Sequence, residues 1–307
     1  CTKAFLPGNP YLQYIKDYLP NVVSNIKTQE GYDKAVAIHP YNPSGYNRNR
    51  VYPLLHMDEF LDIDDFKNPL LVRKYISDES DYEMLESLYE KKKKGSSLCL
   101  FNVTMQNHSS YDDTDYTFEN PVKLTGMTLQ PEAEQYLSLI KMSDDALRNL
   151  ITYFEKVKEP VIIVLFGDHQ PHLPDYFYKN VMGEMPDNLS QKDAMKRYQV
   201  PFMIWANYDI QESDNAVIGN NYLENMILKQ AGIELPLYNQ YIEQMSQVIP
   251  AMNVNGYMDL EGTWHNYNSD KESEEVKTLL RDYSYLQYGY YSDTDKEKMG
   301  KLFEMTP

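Results

Sequence analysis

Cysteine is nearly absent: the 307 residues contain two, Cys1 and Cys99, and no CxxC pair. That excludes a disulfide framework and a cysteine-based zinc finger as organising devices. Cationic side chains are scarce as well, 29 Lys plus Arg against 46 Asp plus Glu, for a net charge of −17. So acidic a chain lacks the positive field that nucleic-acid binding requires, and nucleic acid is not expected as a partner. An anionic ligand would have to be held by local cations or by a metal. No apolar run approaches the roughly 18 residues needed to span a bilayer. GxSxG, GxxxxGK[ST] and GxGxxG are all missing, so nucleophile-elbow, P-loop and dinucleotide chemistry lack their usual parts. What is present is 42% hydrophobic residues, enough for a substantial core and too many for a disordered chain.

Four apolar runs read as buried strands: 35–38, 98–105, 161–166 and 201–206. Helical spacing occupies the intervals. Residues 11–27 carry an apolar stripe that Pro20 should break. Residues 131–157 open on Pro131, Glu132 and Glu134 and keep one broad apolar face. Residues 220–231 end at Gly232, a stop signal. Strands alternating with helices predict an α/β fold with a mostly parallel central sheet sandwiched by helices. The run Glu90–Gly95, EKKKKG, reads as a solvated turn. The tail from Asp259 to Pro307 is rich in Tyr, Asp, Ser and Lys, has an amphipathic stretch at 274–288, and is expected to pack on the same domain. No linker composition divides residues 1–307. The chain begins at Cys1, a few residues before an apparent helix, as a processed or longer parent would leave it; a lipoprotein Cys is a weaker alternative.

Open α/β sheets place their chemistry beyond the carboxyl ends of the strands. Three of the six histidines fall there: His39 after KAVAI, His108 after SLCLFNVTMQN and His169 after VIIVLFGD. A single such histidine is more often a structural residue, but three at equivalent ends point to one site. Asp168 and His169 pair a hard oxygen with an imidazole nitrogen, ligand types that suit Mn²⁺, Mg²⁺ or Zn²⁺, and at least one or two more ligands must come from elsewhere. The loop 39–60 carries two arginines among tyrosines. Arg48, framed by Tyr46, Asn47 and Asn49, is the candidate anion-binding fork, whereas Arg50 fits a surface ion pair better.

The stretches HPYNPSGYNR, FNVTMQNHSSY and VLFGDHQP, in this order and spacing, resemble the sulfatase-like catalytic domain of the lipoteichoic acid synthase and phosphoglycerol transferase family, within the alkaline phosphatase superfamily. The likeness continues through VPFMIWANYDI and IPAMNVNGYMD and covers nearly the whole chain. It implies Mn²⁺ or Mg²⁺ as cofactor, with Asp168 and His169 as ligands. It also implies that His108 and Arg48 contact the substrate's phosphate or glycerol, that Tyr46 forms a pocket wall where better-known members have Trp, and that His39 lines the same pocket. Tyr41 stands where those members carry a substrate-binding Asp. The family's threonine nucleophile, itself a metal ligand, and an acidic ligand are expected upstream of the AFLP stretch beginning at Ala4; Thr2 lies too far along to be that nucleophile. The chain is therefore expected to be the C-terminal part of the domain, lacking its first strands and prone to association through an exposed sheet edge. The implied parent is anchored by N-terminal transmembrane helices at the extracellular face of a bacterial cytoplasmic membrane. The implied reaction moves glycerol phosphate from phosphatidylglycerol to a cell-envelope polymer. A sulfatase or phosphodiesterase acting on a soluble ester, and a non-catalytic binding module, are the alternatives.

Overall fold

In the computed structural model, residues 8–127, 130–269, 272–293 and 295–304 are described. Cys1, Thr2 and Ala4 lie outside them. The elements that position the site are β1 (Tyr32–Ile38), α1 (Arg48–Leu54), β2 (Glu59–Leu61), α2 (Asp78–Lys91), β3 (Ser97–Asn102), α3 (Pro131–Phe154), β4 (Ile162–Phe166) and β5 (Phe202–Ala206). Toward the C-terminus follow α4 (Leu223–Gln230), α5 (Leu237–Ser246), α6 (Glu274–Ser292) and α7 (Lys296–Phe303).

β1 is the centre of a parallel sheet of order β2-β1-β3, with Ile38 opposite Leu61 on one side and Asn102 on the other. Ala35, Val36, Ala37 and Ile38 are fully buried because the strand is covered on both faces, as parallel strands require. Ala35 and Ala37 meet Val23, Tyr52 and Met57 on one face. Val36 and Ile38 meet Phe66 and Ile76 on the other.

β4 and β5 form a separate pair, antiparallel from Ile162–Ala206 to Phe166–Phe202. Helix alternation alone implies parallel neighbours here. The chain between them, however, leaves and re-enters at the same end: the Gly167 amide donates to Pro201 O at 3.1 Å, so the connection behaves as a long hairpin. Helix α2 roofs both sheet pieces. Its Leu85 packs with Leu98 and Leu100 of β3 and also in the cluster holding Ile163 and Trp205. Among the described residues β3 pairs only with β1, and β4 only with β5.

The segment 11–27 is interrupted as expected, but over the whole of residues 14–21 rather than at Pro20 alone, leaving helices at Pro10–Gln13 and Val22–Lys27. The tail does not form its own core. Val276, Tyr283, Tyr290, Met299 and Phe303 share one cluster with Ile15, Val51, Tyr238 and Ile242, and the Tyr290 hydroxyl donates to Pro20 O at 2.6 Å. The lysine run differs from a freely solvated turn at one residue. Lys92 folds its stem over Tyr89 and pairs with Glu159 at 2.7 Å, with only 8% of its side chain exposed. No helix among the described residues is long and apolar enough to cross a membrane.

Candidate active site

His39 follows β1 directly and is 2% exposed. Its Nδ1 lies 2.7 Å from Val103 O, just beyond β3, so the imidazole ties the ends of the two central strands together. Burial, with the nearby charges of Arg48 and His108 adding to it, holds its pKa down to about 4. The ring is therefore neutral near pH 7; it donates from Nδ1 and keeps its Nε2 lone pair. His39 is buried, and Tyr41, packed edge-on against it at 6.1 Å, is exposed.

Arg48 is placed by a strained turn. Tyr46 and Asn47 both adopt the left-handed conformation, at φ 54° each, which costs a non-glycine residue on the order of 1 kcal/mol apiece. The turn is fixed by Asn47 N donating to Ser44 O at 3.0 Å and Asn49 N to Pro43 O at 3.2 Å. It ends with Arg48 as the first residue of α1. One guanidinium nitrogen donates to Gly45 O at 3.1 Å and the plane sits 5.1 Å from the Tyr46 ring centroid. Its buried Nε side faces the Tyr52 hydroxyl one helical turn on, and its second terminal nitrogen has no acceptor among the described residues. An arginine kept partly unsatisfied is poised for an anionic oxygen. Arg50 instead spends its fork on Ile15 O and Tyr11 O, and this backbone clamp replaces the expected surface ion pair.

His108 lies on the loop after β3, exposed, and is joined to the His39 side by rings: His39 to Tyr41, Tyr41 to Tyr75 at 6.1 Å and Tyr75 to His108 at 5.8 Å. Its loop is held by a residue that sequence reading missed. Arg73 donates to Gln106 O and His108 O at 2.8 Å each and to Ser110 O at 2.5 Å, while its guanidinium packs over Tyr75 and Tyr111. Only the fold reveals this, since Arg73 sits in a two-stranded hairpin (Leu71–Val72 with Tyr75–Ile76) distant in sequence from the loop it clamps.

Beneath the loop is a buried polar layer. Gln106 accepts from Asp78 N and donates to Leu139 O and Ser143 Oγ; Asn107 donates to the same hydroxyl, which donates to Asp78. Asp78 is 2% and Asp81 0% exposed. Burial raises both carboxyl pKa values, and Asp78 raises that of Asp81 further.

Asp168 and His169 follow β4 and are built differently, with side chains 84% and 76% exposed. Asp168 Oδ1 accepts from the His169 amide at 2.9 Å, and His169 Nδ1 lies 2.8 Å from Gln170 O. A carbonyl at Nδ1, the usual second partner of a metal-binding histidine, fixes that nitrogen as the donor and turns Nε2 toward the Asp168 carboxylate, 3.4 Å from Oδ2. The two residues thus fit a divalent cation chemically. No group of three or more His, Cys, Asp or Glu among the described residues could hold a metal ion. The link between the two halves is Tyr111: its hydroxyl is pushed up to about 12, chiefly by burial, with Arg73 and Asp168 both among the charges acting on it.

With this geometry in place, comparison with known proteins is informative. Residues 5–233 match the model of the Sulfatase family. A putative cyclic beta-1,2-glucan modification protein of Rhizobium meliloti (strain 1021) is 28% identical over 297 residues, 94% of this chain and 45% of that protein. The capsular polysaccharide biosynthesis protein RkpI of the same organism is 30% identical over 141 residues, 45% of this chain and 24% of its own length. The chain thus spans less than half the length of these relatives. Among solved structures, the fold superimposes on the Streptococcus pyogenes phosphoglycerol transferase GacH in complex with sn-glycerol-1-phosphate, with a TM-score of 0.72 and 21% identity, over 99% of this chain and 72% of that one. It also superimposes on the lipoteichoic acid synthase LtaP of Listeria monocytogenes, with a TM-score of 0.62 and 16% identity, over 96% and 76%.

Proposed function

Because the chain belongs to the Sulfatase family, we propose that it forms the phosphoryl-binding body of a metal-dependent phosphoglycerol transferase. Its donor on this reading is a phosphatidylglycerol-type lipid, and its product a modified cell-envelope polymer. The observation that carries the reading is Arg48, whose one terminal nitrogen is tied to Gly45 O while the other has no acceptor among the described residues, close enough to a neutral His39 for its charge to act there. The glycerol-phosphate complex and the glucan-modification relative support the same substrate chemistry.

In this proposal Arg48 donates to non-bridging phosphoryl oxygens, and its fork orients them. Exposed His108 donates to the phosphate or to the glycerol hydroxyls. His39 is a positioning residue that holds the strand ends, and the Tyr46 ring packs against the guanidinium. Asp168 and His169 would hold Mn²⁺ or Mg²⁺; such an ion, when bound, lowers the pKa of a nearby hydroxyl and offsets phosphoryl charge. The nucleophile and the remaining ligands are assigned to polypeptide preceding this sequence. The edges of β3 and β4 that pair with no strand among the described residues offer a place for its strand. A membrane-anchored parent with this body on the outer face of the bacterial membrane completes the reading.

The test is a substrate panel on the whole protein with phosphatidylglycerol, an aryl sulfate and a soluble phosphodiester. Release of diacylglycerol that requires both a divalent ion and an acceptor alcohol is the expected result. Turnover of the sulfate or the diester with no acceptor would replace transfer by hydrolysis.

A further inference from the structure

A cavity of about 370 Å³ opens beside the His108 loop, its walls including Tyr111, Asp112, Glu132, His172, Pro174 and Asp175. That volume falls at the lower end of small-ligand sites, roughly 300–1,000 Å³. The cavity borrows chain from both halves of the candidate site: Tyr111 is three residues past His108, and His172 three past His169. None of the residues assigned to phosphate or metal lines it.

Its lining decides what it can take. Three carboxylates and no Lys or Arg border the space, and the charges of Lys74 and Arg73 act on Asp112 alone among them, so a second phosphate would meet net repulsion. A divalent cation fits no better, because the carboxylates do not converge: no group of three or more such ligands among the described residues could hold one. Carboxylates set apart around a cavity accept separate hydroxyl donors. His172 can both donate and accept, and Pro174 with the Tyr111 ring supplies apolar wall for C–H faces. Glu132 is already braced, with the Tyr176 hydroxyl 3.4 Å from one of its oxygens.

We propose that this cavity is the acceptor subsite, and that it takes the hydroxyl-bearing end of an uncharged saccharide. The proposal rests on the phosphoglycerol-transfer reading for its role, though not for the binding itself. In the transfer the acceptor oxygen forms a bond to phosphorus, the bond from phosphorus to its previous oxygen breaks, and the hydroxyl proton ends on that departing oxygen. The subsite excludes a glycerol-phosphate chain end by charge, so a neutral glycan is the acceptor here.

The test is a set of NMR titrations of the isotope-labelled chain with three probes: a neutral β-linked gluco-oligosaccharide, glycerol 1-phosphate and choline. The oligosaccharide should shift the amides of residues 110–112 and 172–175, and glycerol phosphate those of 46–48 and 108. In the double variant Glu132→Gln with Asp175→Asn, oligosaccharide binding should weaken roughly tenfold or more. Glycerol-phosphate shifts should stay unchanged in that variant, which also verifies its fold; His172→Ala provides an independent second variant. Saccharide binding at the cavity without any glycerol-phosphate binding would uphold the subsite and remove the phosphoryl reading. The proposal is overturned if the oligosaccharide does not bind, if the variants leave its affinity intact, or if choline occupies the cavity in its place.

Discussion

The two ends of the candidate site are held in opposite ways. On the parallel sheet, His39 is locked between strand ends, Arg48 is set by a left-handed turn, and the His108 loop is clamped through three carbonyls by Arg73. On the antiparallel pair, Asp168 and His169 stand in solvent and are held only by their own neighbours. The lesson is that the end assigned to phosphate is held rigid by contacts among the described residues, whereas the pair assigned to metal is not. A rigid end loses activity when its supports are cut, and an open end loses it when its partners are withheld.

The sharpest way to break this contrast is to remove the fork. Arg48→Ala should lower glycerol-phosphate transfer by a hundredfold or more, since charge-assisted bidentate contacts to the reacting group are lost. Arg48→Lys should recover only part, as an ammonium cannot replace the fork. An unchanged kcat/KM would take Arg48 out of the site.

Next in size is the clamp. Arg73→Ala leaves the carbonyls of Gln106, His108 and Ser110 without their donor and should destabilise the fold by about 2–3 kcal/mol. Urea denaturation measures that loss, and a weakened glycerol-phosphate affinity should accompany it. If affinity held while stability fell, the clamp would support the fold but not His108.

The layer below the loop sharpens the comparison through pH. Burial, with the charge of Asp78 adding, pushes Asp81 up to about 8 from an ordinary 3.8. Between those values the folded state keeps a proton that the unfolded chain has released. This contribution to stability is complete below pH ~4 and declines as pH rises toward about 8, by at most about 1.4 kcal/mol per pH unit. Asp81→Asn should flatten that decline in urea midpoints taken at pH 5, 6.5 and 8; an equally steep slope in the variant would show that another group causes it. His39 acts in the other direction. Its lowered pKa gives stability that is complete above its ordinary 6.5 and lost as pH falls toward about 4.

The smallest effect belongs to Tyr46. Loss of its exposed ring from under Arg48 should cost about 0.5–1 kcal/mol, a two- to fivefold fall in glycerol-phosphate affinity. Tyr46→Phe should keep nearly all of it, because the contact needs the ring face and not the hydroxyl.

Much of this architecture was legible in the sequence. β-branched runs marked β1, β4 and their neighbours, and the residues at their carboxyl ends marked the rim. The helix Asp78–Lys91 was not legible from apolar spacing, because its first buried residues are Asp78, Asp81 and Tyr82, and the hydrogen bonds of the two aspartates come from distant Gln106, Asn102 and Ser143. Arg73 was hidden for the same reason: its acceptors are backbone carbonyls more than thirty residues away. The antiparallel turn of β5 was lost because helix alternation does not report where a connection re-enters the sheet. Contacts of long sequence separation leave no local pattern to read.

The central claim is that one rim carries a preorganised phosphate site and an open metal site. Its most direct test is diffraction at the manganese edge from crystals of this chain soaked with Mn²⁺ and glycerol 1-phosphate. The account predicts an anomalous peak at Asp168 and His169, with phosphate on Arg48 and His108. Phosphate bound away from Arg48, with no manganese at the Asp168–His169 pair, would contradict it.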